Sequence, residues 1–409
     1  MSDGSKNMLL DVAKLSPEHA VPKLIDHAVT LGASDLFFVS NEQHVAVQVR
    51  HLGLVRLIAI LSAEQGRKSL SHIKANAGID LQTRQPSDGR WIYRFGDNGT
   101  IDLRINTIPT LYGEDFSIRL LNRASTLYSL DKLGMTYQQQ QQYQQMIASP
   151  SGLVLITGPT GSGKTATLYA SLMKLNDGHR KINTIEDPVE YAVDGLRQSQ
   201  VNPAINLGFS TLLRSILRQS PDVIMIGEIR DAETAQTAVH AANSGMLVLA
   251  TLHAPSAAGA VQSLRSLNVN PHFLANSLKG VVSQRLVREL DPATKKVASA
   301  VDDGFDPFEE VRRMLKPDEG KALYGPVAAE SNQMTGYTGR VGVFEVMVIS
   351  KELRNMIADG ASTRDLRNKA IEQGMLTFRQ AALLKIARGH TTSEELFRVI
   401  PTEQLNEED

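Results

Sequence analysis

The chain has 409 residues, more than one ordinary hydrophobic core organises, so its length predicts two or three domains. Its 43 basic and 44 acidic residues give a formal net charge of −1, which argues against a general attraction to nucleic acid or anionic lipid. There is no cysteine, which excludes disulfides and thiolate metal sites and suits a cytosolic protein.

We do not expect the N-terminal segment, MSDGSKNMLLDVAKLS, to be a secretory signal. It lacks the basic region, apolar stretch and small-residue cleavage site of a secretory signal. No apolar run in the chain approaches the roughly 20 residues that a membrane-spanning helix needs. We therefore expect a soluble protein in which residues 1–15 are disordered.

The first folded segment is predicted to be an α+β domain over residues 16–123. The serine–proline pair that opens it is typical of a helix start. Short apolar runs then predict six strands, with a helix over residues 63–77 between the third and the fourth, and a hairpin turn at Asn98-Gly99. The runs are SDLFFVS, VAVQVRHLG, LVRLIAIL, RWIYRFG, TIDLRINTI and DFSIRLL.

Residues 124–150 are predicted to form a linker and a helix. Glutamine dominates the segment YQQQQQYQQMIAS, and Met135, Met146 and Ile147 are the apolar positions at helical spacing. Because glutamine is a fair helix former, we interpret this segment as a polar, solvated helix rather than a functional glutamine tract.

The pattern changes over residues 151–287. The continuous apolar runs LVLIT, INTIE, DVIMIGE and MLVLATL alternate with helical stretches, which indicates parallel strands buried on both faces of a sheet. Beyond residue 287 the chain turns polar and irregular before it regains helical texture. We therefore expect a separate C-terminal region over residues 288–400 and a solvated acidic tail over residues 401–409.

The segment GPTGSGKT is the strongest chemical signal in the chain. Glycines let inward-turned backbone N–H groups approach a triphosphate, and the positive end of the following helix points at it. Lys164 is expected to reach the β- and γ-phosphates, and Thr165 to offer its hydroxyl to Mg²⁺. With the strand LVLIT before it and a helical segment after it, the motif predicts an ATP and Mg²⁺ site held by Gly158, Pro159, Thr160, Gly161, Ser162, Gly163, Lys164, Thr165 and Ala166.

Glu228 follows the predicted strand DVIMI, about 60 residues after the glycine loop. In an open α/β sheet, ligands bind at the carboxyl ends of the strands. A carboxylate there can hold the water shell of a metal or orient the attacking water, although in isolation it would be a solvated charge.

Two further strand ends carry candidate residues. In TIEDPVEY, Glu186, Asp187 and Glu190 crowd together after a strand, and such carboxylates repel one another unless a cation or a directed water compensates. Glu186 is the first candidate because it lies nearest the strand end. His253 closes the strand MLVLAT at the same predicted edge, where a histidine without this context would be a structural residue.

Four segments together resemble the GspE/PilB family of type II secretion and type IV pilus-assembly ATPases. They are GPTGSGKTATLYA, TIEDPVEY, SPDVIMIGEIRDAETAQTAVHAANSGMLVLATLHA and TGYTGRVGVFEVM. The stretches IDLRINTIPTLYGEDFSIRLLNR and GHTTSEELFRVI extend the resemblance from about Ala33 to Ile400. It implies a RecA-like P-loop ATPase domain of the α/β class, a smaller α+β, PAS-like N-terminal domain and a helical C-terminal region.

The resemblance also implies an activity and partners. Members are hexameric, Mg²⁺-dependent ATPases at the cytoplasmic side of the inner membrane, where they drive a platform protein. The N-terminal domain of one subunit packs on the ATPase core of the next, and arginines that reach the neighbour's γ-phosphate fall here on Arg104 and Arg119, which would otherwise be outward arginines on strands. The candidate catalytic residues are thus Lys164, Glu186, Glu228, His253, Arg104 and Arg119, with Thr165 and Glu228 as the candidate Mg²⁺ ligands.

Two departures from the family pattern matter. Many assembly ATPases carry paired CxxC motifs between the segment that ends in TLHA and the segment TGYTGR, and this chain has none. We therefore expect no zinc site, and we expect the intervening segment to fold by packing alone or to stay mobile. The usual TLHTN is TLHAP, which removes the hydroxyl at Ala254.

Several alternatives stay open at this point. Either Glu186 or Glu228 would serve as the general base. The same four segments occur in pilus-retraction motors. We rank a retraction motor lower because LYGEDFSIRLLNR and GYTGRVGVFEVM look closer to assembly members. A DNA-translocating hexameric motor would use the same core, but the near-neutral charge and the lack of a DNA-binding motif lead us to expect no nucleic-acid partner.

Overall fold

The computed structural model describes residues 9–96, 99–122, 129–301 and 306–405, which belong to two compact units, residues 1–126 and 127–409. The predicted turn residue Asn98, the predicted domain end at Arg123 and the last four residues of the acidic tail lie outside the described residues. Within the described ranges, no helix combines the length and the apolar character needed to cross a bilayer.

The first unit is a six-stranded sheet with two helices. Its elements are α1 (Pro17–Thr30), β1 (Asp35–Ser40), β2 (His44–His51), β3 (Leu54–Ser62), α2 (Ala63–Ala77), β4 (Ser87–Phe95), β5 (Gly99–Thr110) and β6 (Gly113–Asn122). The strand order is β3-β2-β1-β6-β5-β4, and every neighbouring pair is antiparallel. The predicted strands and helices of this unit are confirmed.

The folded part of the first unit begins earlier than predicted. The Leu10 amide donates to the Ile58 carbonyl at 2.7 Å, and the Val12 side chain is buried in the same core as both helices. The side-chain amide of Gln65 donates to the carbonyls of Val12 and Leu15 at 2.6 and 3.1 Å. The expectation that the chain is disordered up to residue 15 is wrong for this stretch, because the apolar side chains and backbone carbonyls both find partners.

The second unit is built on a seven-stranded sheet with helices on both faces. Its elements are α3 (Tyr137–Ile147), β7 (Gly152–Thr157), α4 (Lys164–Leu175), β8 (Ile182–Glu186), β9 (Leu196–Gln200), α5 (Phe209–Leu217), β10 (Val223–Ile226), α6 (Ala232–Asn243), β11 (Leu247–Leu252), α7 (Ala257–Ser266), α8 (Pro271–Ser277), β12 (Leu278–Leu290), β13 (Lys296–Ala300), β14 (Ala322–Gly325), β15 (Tyr337–Val348), α9 (Lys351–Ala358), α10 (Thr363–Glu372), α11 (Phe378–Ala387), α12 (Ser393–Val399) and α13 (Thr402–Leu405).

The sheet runs in the order β15-β12-β7-β11-β10-β8-β9, with parallel pairing except for the antiparallel edge strand β15. Alternate residues of β7 point to opposite faces: Leu153 and Leu155 join one core, Val154 and Ile156 the other. Burial on both faces explains the continuous apolar runs in the sequence. The predicted parallel α/β core is confirmed.

Two predicted boundaries, after residue 150 and after residue 287, do not separate units in the structure. The boundary at residues 287 and 288 falls inside β12, and β15 returns to pair with β12 from Gly280 opposite Val348 to Leu290 opposite Tyr337. The polar composition after residue 290 marks an excursion between two strands of one sheet. The predicted helix over the glutamine segment is confirmed as α3, but it also packs into this unit, because Tyr143 is buried and Gln139 donates to the Phe344 carbonyl at 2.8 Å.

The excursion between β12 and β15 folds around a polar cluster. The side-chain amide of Asn332 donates to Asp291 Oδ2 at 2.9 Å and to Thr294 Oγ1 at 3.0 Å. Its side-chain oxygen accepts the backbone N–H groups of Ala329 and Gly336 at 2.9 and 3.0 Å. Among the described residues, no group of three or more His, Cys, Asp or Glu side chains lies close enough together to hold a metal ion. The hydrogen bonds of the buried Asn332 side chain tie down this segment.

A buried carboxylate fastens α12 to β12. Glu395 is 1% exposed and pairs with Arg288 at 2.6 Å and with Arg398 at 2.7 Å. Burial by itself would raise the pKa of Glu395, but hydrogen bonds from Arg398 and Arg288 outweigh it and lower the pKa from 4.5 to about 2. Because folding lowers this pKa, the stabilisation is complete above about pH 4.5 and is lost as the pH falls toward 2.

We expect Glu395→Gln to lower the free energy of unfolding by about 3–5 kcal/mol at neutral pH, because it leaves two guanidinium groups without their carboxylate. Chemical denaturation followed by circular dichroism at a series of pH values measures this difference. The advantage of the wild type should shrink as the pH falls below about 4.5. An advantage of the same size at about pH 3 would contradict this assignment.

Candidate active site

The carboxyl ends of four parallel strands lie at one edge of the second sheet. Thr157 at the end of β7 is opposite Leu252 at the end of β11. Ile226 at the end of β10 is opposite Ala250 of β11 on one side and Ile185 of β8 on the other. The glycine loop and the residues predicted from the sequence as strand-end candidates therefore share the edge at which ligands bind in such sheets.

The glycine loop occupies residues 158–163 between β7 and α4. Gly158, Gly161 and Gly163 have φ values of +146°, +76° and +89°, in the region that favours glycine. A Cβ atom on Gly158 would lie 2.5 Å from the Gln284 carbonyl oxygen and 2.7 Å from Ser162 Oγ. A side chain at this position would therefore collide with β12 and with the loop itself.

Gln284 of β12 braces the glycine loop and was not predicted from the sequence. It is 1% exposed, its side-chain nitrogen donates to the Ser162 carbonyl at 2.7 Å, and its oxygen accepts from Thr167 Oγ1 at 2.8 Å. It thereby ties the loop to the first turns of α4. The signal that would have found it is the polar run Ser283-Gln284-Arg285 between apolar residues of one strand (VVSQRLV).

Lys164 lies at the start of α4 with its ammonium group against the loop. Nζ donates to the carbonyls of Gly158 at 2.8 Å and Pro159 at 3.1 Å. Burial lowers the pKa of Lys164, while the Glu228 carboxylate opposes this effect and the Arg285 guanidinium adds to it. Within the loop, Ser162 Oγ is buried without a hydrogen-bond partner in the described structure. A half-buried cation and an unpaired hydroxyl in one cradle suit an anionic ligand.

Glu228 and His253 meet at the sheet edge. Glu228 Oε1 lies 2.9 Å from His253 Nε2, and Glu228 Oε2 lies 2.6 Å from the guanidinium of Arg230. Arg230 also lies 3.5 Å from Asp187 Oδ2, and the hydrogen bond to Glu228 raises the pKa of Arg230. Arg230 was missed in the sequence, although its position two residues after Glu228 in the same loop could have marked it.

Glu186 faces inward and its two oxygens are occupied. It is 4% exposed, Tyr169 Oη donates to Oε2 at 2.5 Å, and Oε1 accepts from Thr184 Oγ1 at 2.6 Å and from Gln198 Nε2 at 3.1 Å. Burial raises the pKa of Tyr169, and the Glu186 carboxylate adds to that effect. In this conformation Glu186 is placed to hold neighbouring groups, whereas Glu228 is the more accessible carboxylate.

The loop that carries His253 is tied to the strand that precedes the glycine loop. Thr157 Oγ1 accepts the Ala254 N–H at 2.8 Å and donates to the Ala254 carbonyl at 3.0 Å. Thr251 Oγ1 donates to the Gly227 carbonyl at 2.5 Å and so links this loop to the residue before Glu228. The histidine loop is held through its backbone even though the TLHAP sequence lacks a hydroxyl at Ala254.

Arg104 and Arg119 belong to the first unit. They are direct cross-strand partners on β5 and β6. Arg119 Nε lies 3.4 Å from Asp35 Oδ1, and Arg104 Nε is buried without a hydrogen-bond partner in the described structure. Their predicted approach to another subunit stays a prediction.

Comparison with known proteins gives consistent matches along the chain. Residues 13–398 match the family model described as Type II/IV secretion system protein. The chain is 39% identical over 381 residues to type II secretion system protein E of Dickeya dadantii, covering 93% of this chain and 75% of that protein. It is 38% identical over 385 residues to the type IV pilus assembly ATPase PilB of Acinetobacter baylyi, covering 93% and 65%.

A solved structure shares the fold. The X-ray structure of the Legionella pneumophila ATPase DotB superposes with a TM-score of 0.74 and 21% sequence identity, covering 97% of this chain and 98% of that one. This likeness supports the predicted fold class, with a RecA-like α/β unit and a smaller α+β unit.

We expect Gly158→Ala to abolish binding of an ATP analogue, because the new methyl group would lie 2.5 Å from the Gln284 backbone oxygen of β12 and 2.7 Å from Ser162 Oγ, which forces the glycine loop out of its shape. The matched control is Gly178→Ala, which places alanine at φ +82° in the turn after α4, with no atom within 4 Å. Both variants strain the backbone, but only the first makes the loop collide with Gln284 and Ser162. Titration with a fluorescent ATP analogue measures the difference, and equal affinities would contradict the prediction.

Proposed function

The chain belongs to the Type II/IV secretion system protein family, and on that premise we propose that it is an ATPase that powers assembly of a type IV pilus or a type II-like secretion pseudopilus. One observation carries the proposal: the glycine loop, Glu228 and His253 meet at one edge of the sheet. Hydrolysis of a bound triphosphate needs a cradle for its phosphates and a carboxylate beside them to direct water.

In the proposed site, the backbone N–H groups of residues 160–166, which include the start of α4, bind the phosphates. Lys164 exchanges the carbonyls of Gly158 and Pro159 for phosphate oxygens, and the unpaired Ser162 hydroxyl gains a partner. The fit is supported by the positive φ angles of the three glycines, which a loop that wraps a phosphate requires, and by the charge of the half-buried ammonium group. The cradle therefore selects an anionic, extended ligand such as ATP.

Thr165 and Glu228 are the residues that would hold Mg²⁺, because hydroxyl and carboxylate oxygens are the ligands this hard cation prefers, together with waters and phosphate oxygens. When bound, Mg²⁺ neutralises charge that develops on the phosphates. Arg230 restrains Glu228 through two nitrogens, at 2.7 and 2.6 Å, so the carboxylate is held in place at the sheet edge.

Glu228 is the proposed general base. It orients a water molecule and accepts its proton as the water oxygen attacks the γ-phosphorus, and the bond to the β-phosphate oxygen breaks to give ADP and phosphate. His253, 2.9 Å from Glu228, fixes the orientation of the carboxylate. Glu186 supports the edge through Tyr169, Thr184 and Gln198 rather than acting on water itself.

We further propose a homo-hexamer in which Arg104 and Arg119 of one subunit reach the γ-phosphate on the next. Arg230 is already engaged by Glu228 and Asp187, so the charge that develops on the γ-phosphate calls for additional cations. Arg104 and Arg119 are adjacent on one sheet face, and the Nε of Arg104 lacks a hydrogen-bond partner in the described structure. Two guanidinium groups presented together suit a phosphate of high charge.

The proposed partner is the inner-membrane platform protein of the pilus or secretion machine, with which the ATPase associates at the cytoplasmic face as a peripheral component. The Dickeya relative is named as a type II secretion system protein and the Acinetobacter relative as a type IV pilus assembly ATPase, which supports a secretion or pilus machine as the setting. The net charge of −1 supports a protein partner over nucleic acid.

We expect Lys164→Ala to remove ATP hydrolysis, because the phosphates lose their buried cation. Glu228→Gln should lower kcat by about 10²–10⁴-fold with little change in ATP affinity, since the amide cannot accept a proton. Phosphate release by the purified protein in Mg²⁺ measures both. Unchanged hydrolysis in Lys164→Ala would overturn the ATPase assignment, and a larger loss of kcat in Glu186→Gln than in Glu228→Gln would transfer the base role to Glu186.

The piliation of a deletion strain distinguishes an assembly motor from a retraction motor. If the protein powers assembly, cells without it should be bald, and a plasmid copy should restore pili while the Lys164→Ala copy should not. Hyperpiliated cells would instead assign retraction. ATP hydrolysis stimulated by DNA but not by the platform protein would assign DNA translocation.

A further inference from the structure

The loop between His253 and α7 is held by groups that lie outside the motifs. The Pro255 carbonyl accepts hydrogen bonds from Arg285 at 2.7 Å and from Gln404 at 3.1 Å. Two residues later, the Ala257 N–H donates to Glu345 Oε2 at 3.1 Å. The backbone that follows His253 is thus fixed at both ends by charged side chains.

Arg285 and Glu345 lie on the two neighbouring strands β12 and β15, on the same face of the sheet. Arg285 is opposite Val343, and Glu345 is opposite Ser283, so the two charged residues are diagonal neighbours. They are 4% and 3% exposed. Burial lowers the pKa of Arg285 and raises the pKa of Glu345, and in each case the opposite charge of the other residue acts against the shift.

The same two residues contact the start of α11. Glu345 Oε1 accepts the Phe378 N–H at 3.3 Å, and the guanidinium carbon of Arg285 lies 4.7 Å from the centre of the Phe378 ring. Glu345 therefore receives the first N–H groups of two helices, α7 and α11, where the helix dipoles favour a negative charge. These contacts join the histidine loop to a helix of the C-terminal region.

Stability alone is a weak reason to keep two such charges buried. Removing charges from water costs several kcal/mol per ion, and apolar residues of similar volume often stabilise a core as well or better. What apolar residues cannot do is hold a carbonyl and two N–H groups in fixed positions. The three backbone groups held here belong to the residues just after His253 and to the first residue of α11.

We propose that Arg285 and Glu345 are positioning residues for ATP hydrolysis: they fix the loop of residues 253–257 and so keep His253 beside Glu228. The proposal rests on the proposed function, in which Glu228 directs the attacking water. Neither residue touches the reacting atoms; each acts through the backbone of the histidine loop.

The primary test is Glu345→Gln. The amide keeps the size of the side chain but turns an N–H₂ group toward one of two backbone N–H donors, Ala257 or Phe378. We expect kcat to fall by ~10–100-fold with KM within about twofold, because the phosphate cradle is intact while the water-directing pair is displaced. A rise in KM at unchanged kcat would contradict the proposal.

Glu395→Gln is the matched control. Glu395 is an equally buried carboxylate that pairs with another arginine of β12, and the hydrogen bonds and ion pairs described for it go to Arg288 and Arg398. It should lower the melting temperature and leave kcat within about twofold of wild type when both are assayed well below it. An equal loss of kcat in both variants would show a general loosening and overturn the positioning role.

A double-mutant cycle with His253→Ala decides whether Glu345 acts through the histidine. In the His253→Ala background, Glu345→Gln should change kcat by less than about twofold, because the group that it positions is already gone. If the two substitutions lower kcat independently, so that the fold losses of the single variants multiply in the double variant, the proposal is overturned. If Glu345→Gln does not fold, Arg285→Lys is used in the same cycle, since lysine keeps the charge but cannot reproduce the planar group that donates to Pro255 over the Phe378 ring.

Failure of the proposed function and failure of the positioning role give different results. If Lys164→Ala hydrolyses ATP as fast as the wild type, the proposed function fails. If Lys164→Ala is inactive and the cycle is multiplicative, the function stands and only the positioning role is lost.

Discussion

The parallel register of β7, β11, β10 and β8 brings the carboxyl ends of these strands to one edge, and the chemistry of the second unit depends on that alignment. A shift of one residue in any strand would turn its side chains to the other face of the sheet. Hydrogen bonds from Thr157 and Thr251 then lock the loops together, from the strand before the glycine loop to the residue before Glu228. The site is therefore a property of the sheet more than of any single loop.

Strand β12 serves both loops of the site. Neighbouring residues in a strand point to opposite faces, so Gln284 reaches the glycine loop and α4 while Arg285 reaches the histidine loop and α11. Because β15 pairs with β12 and carries Glu345, the C-terminal part of the chain is structurally continuous with the proposed catalytic edge. Because Arg285 and Glu345 contact both α11 and the loop that follows His253, we expect a movement of α11 to displace that loop.

Local patterns in the sequence predicted the features that depend on neighbouring residues. The glycine motif located Lys164 and Thr165, and apolar runs located the strands that carry Glu228 and His253. Gln284 and Arg285 were not found, because their partners lie on loops and helices distant in sequence. The boundary placed at residue 287 failed for the same reason, since β15 joins the sheet only after an excursion of polar composition. The inward orientation of Glu186 depends on Tyr169 and Gln198, which no spacing in the motif indicates.

The most direct test of the central claim is an experimental structure with Mg²⁺ and a non-hydrolysable ATP analogue. The account predicts that the phosphates occupy the cradle of residues 158–165 and that the Lys164 ammonium leaves the carbonyls of Gly158 and Pro159 to bind them, with Glu228 facing the γ-phosphate. An analogue bound elsewhere, or a Lys164 that keeps its carbonyl partners while Glu228 points away, would contradict it.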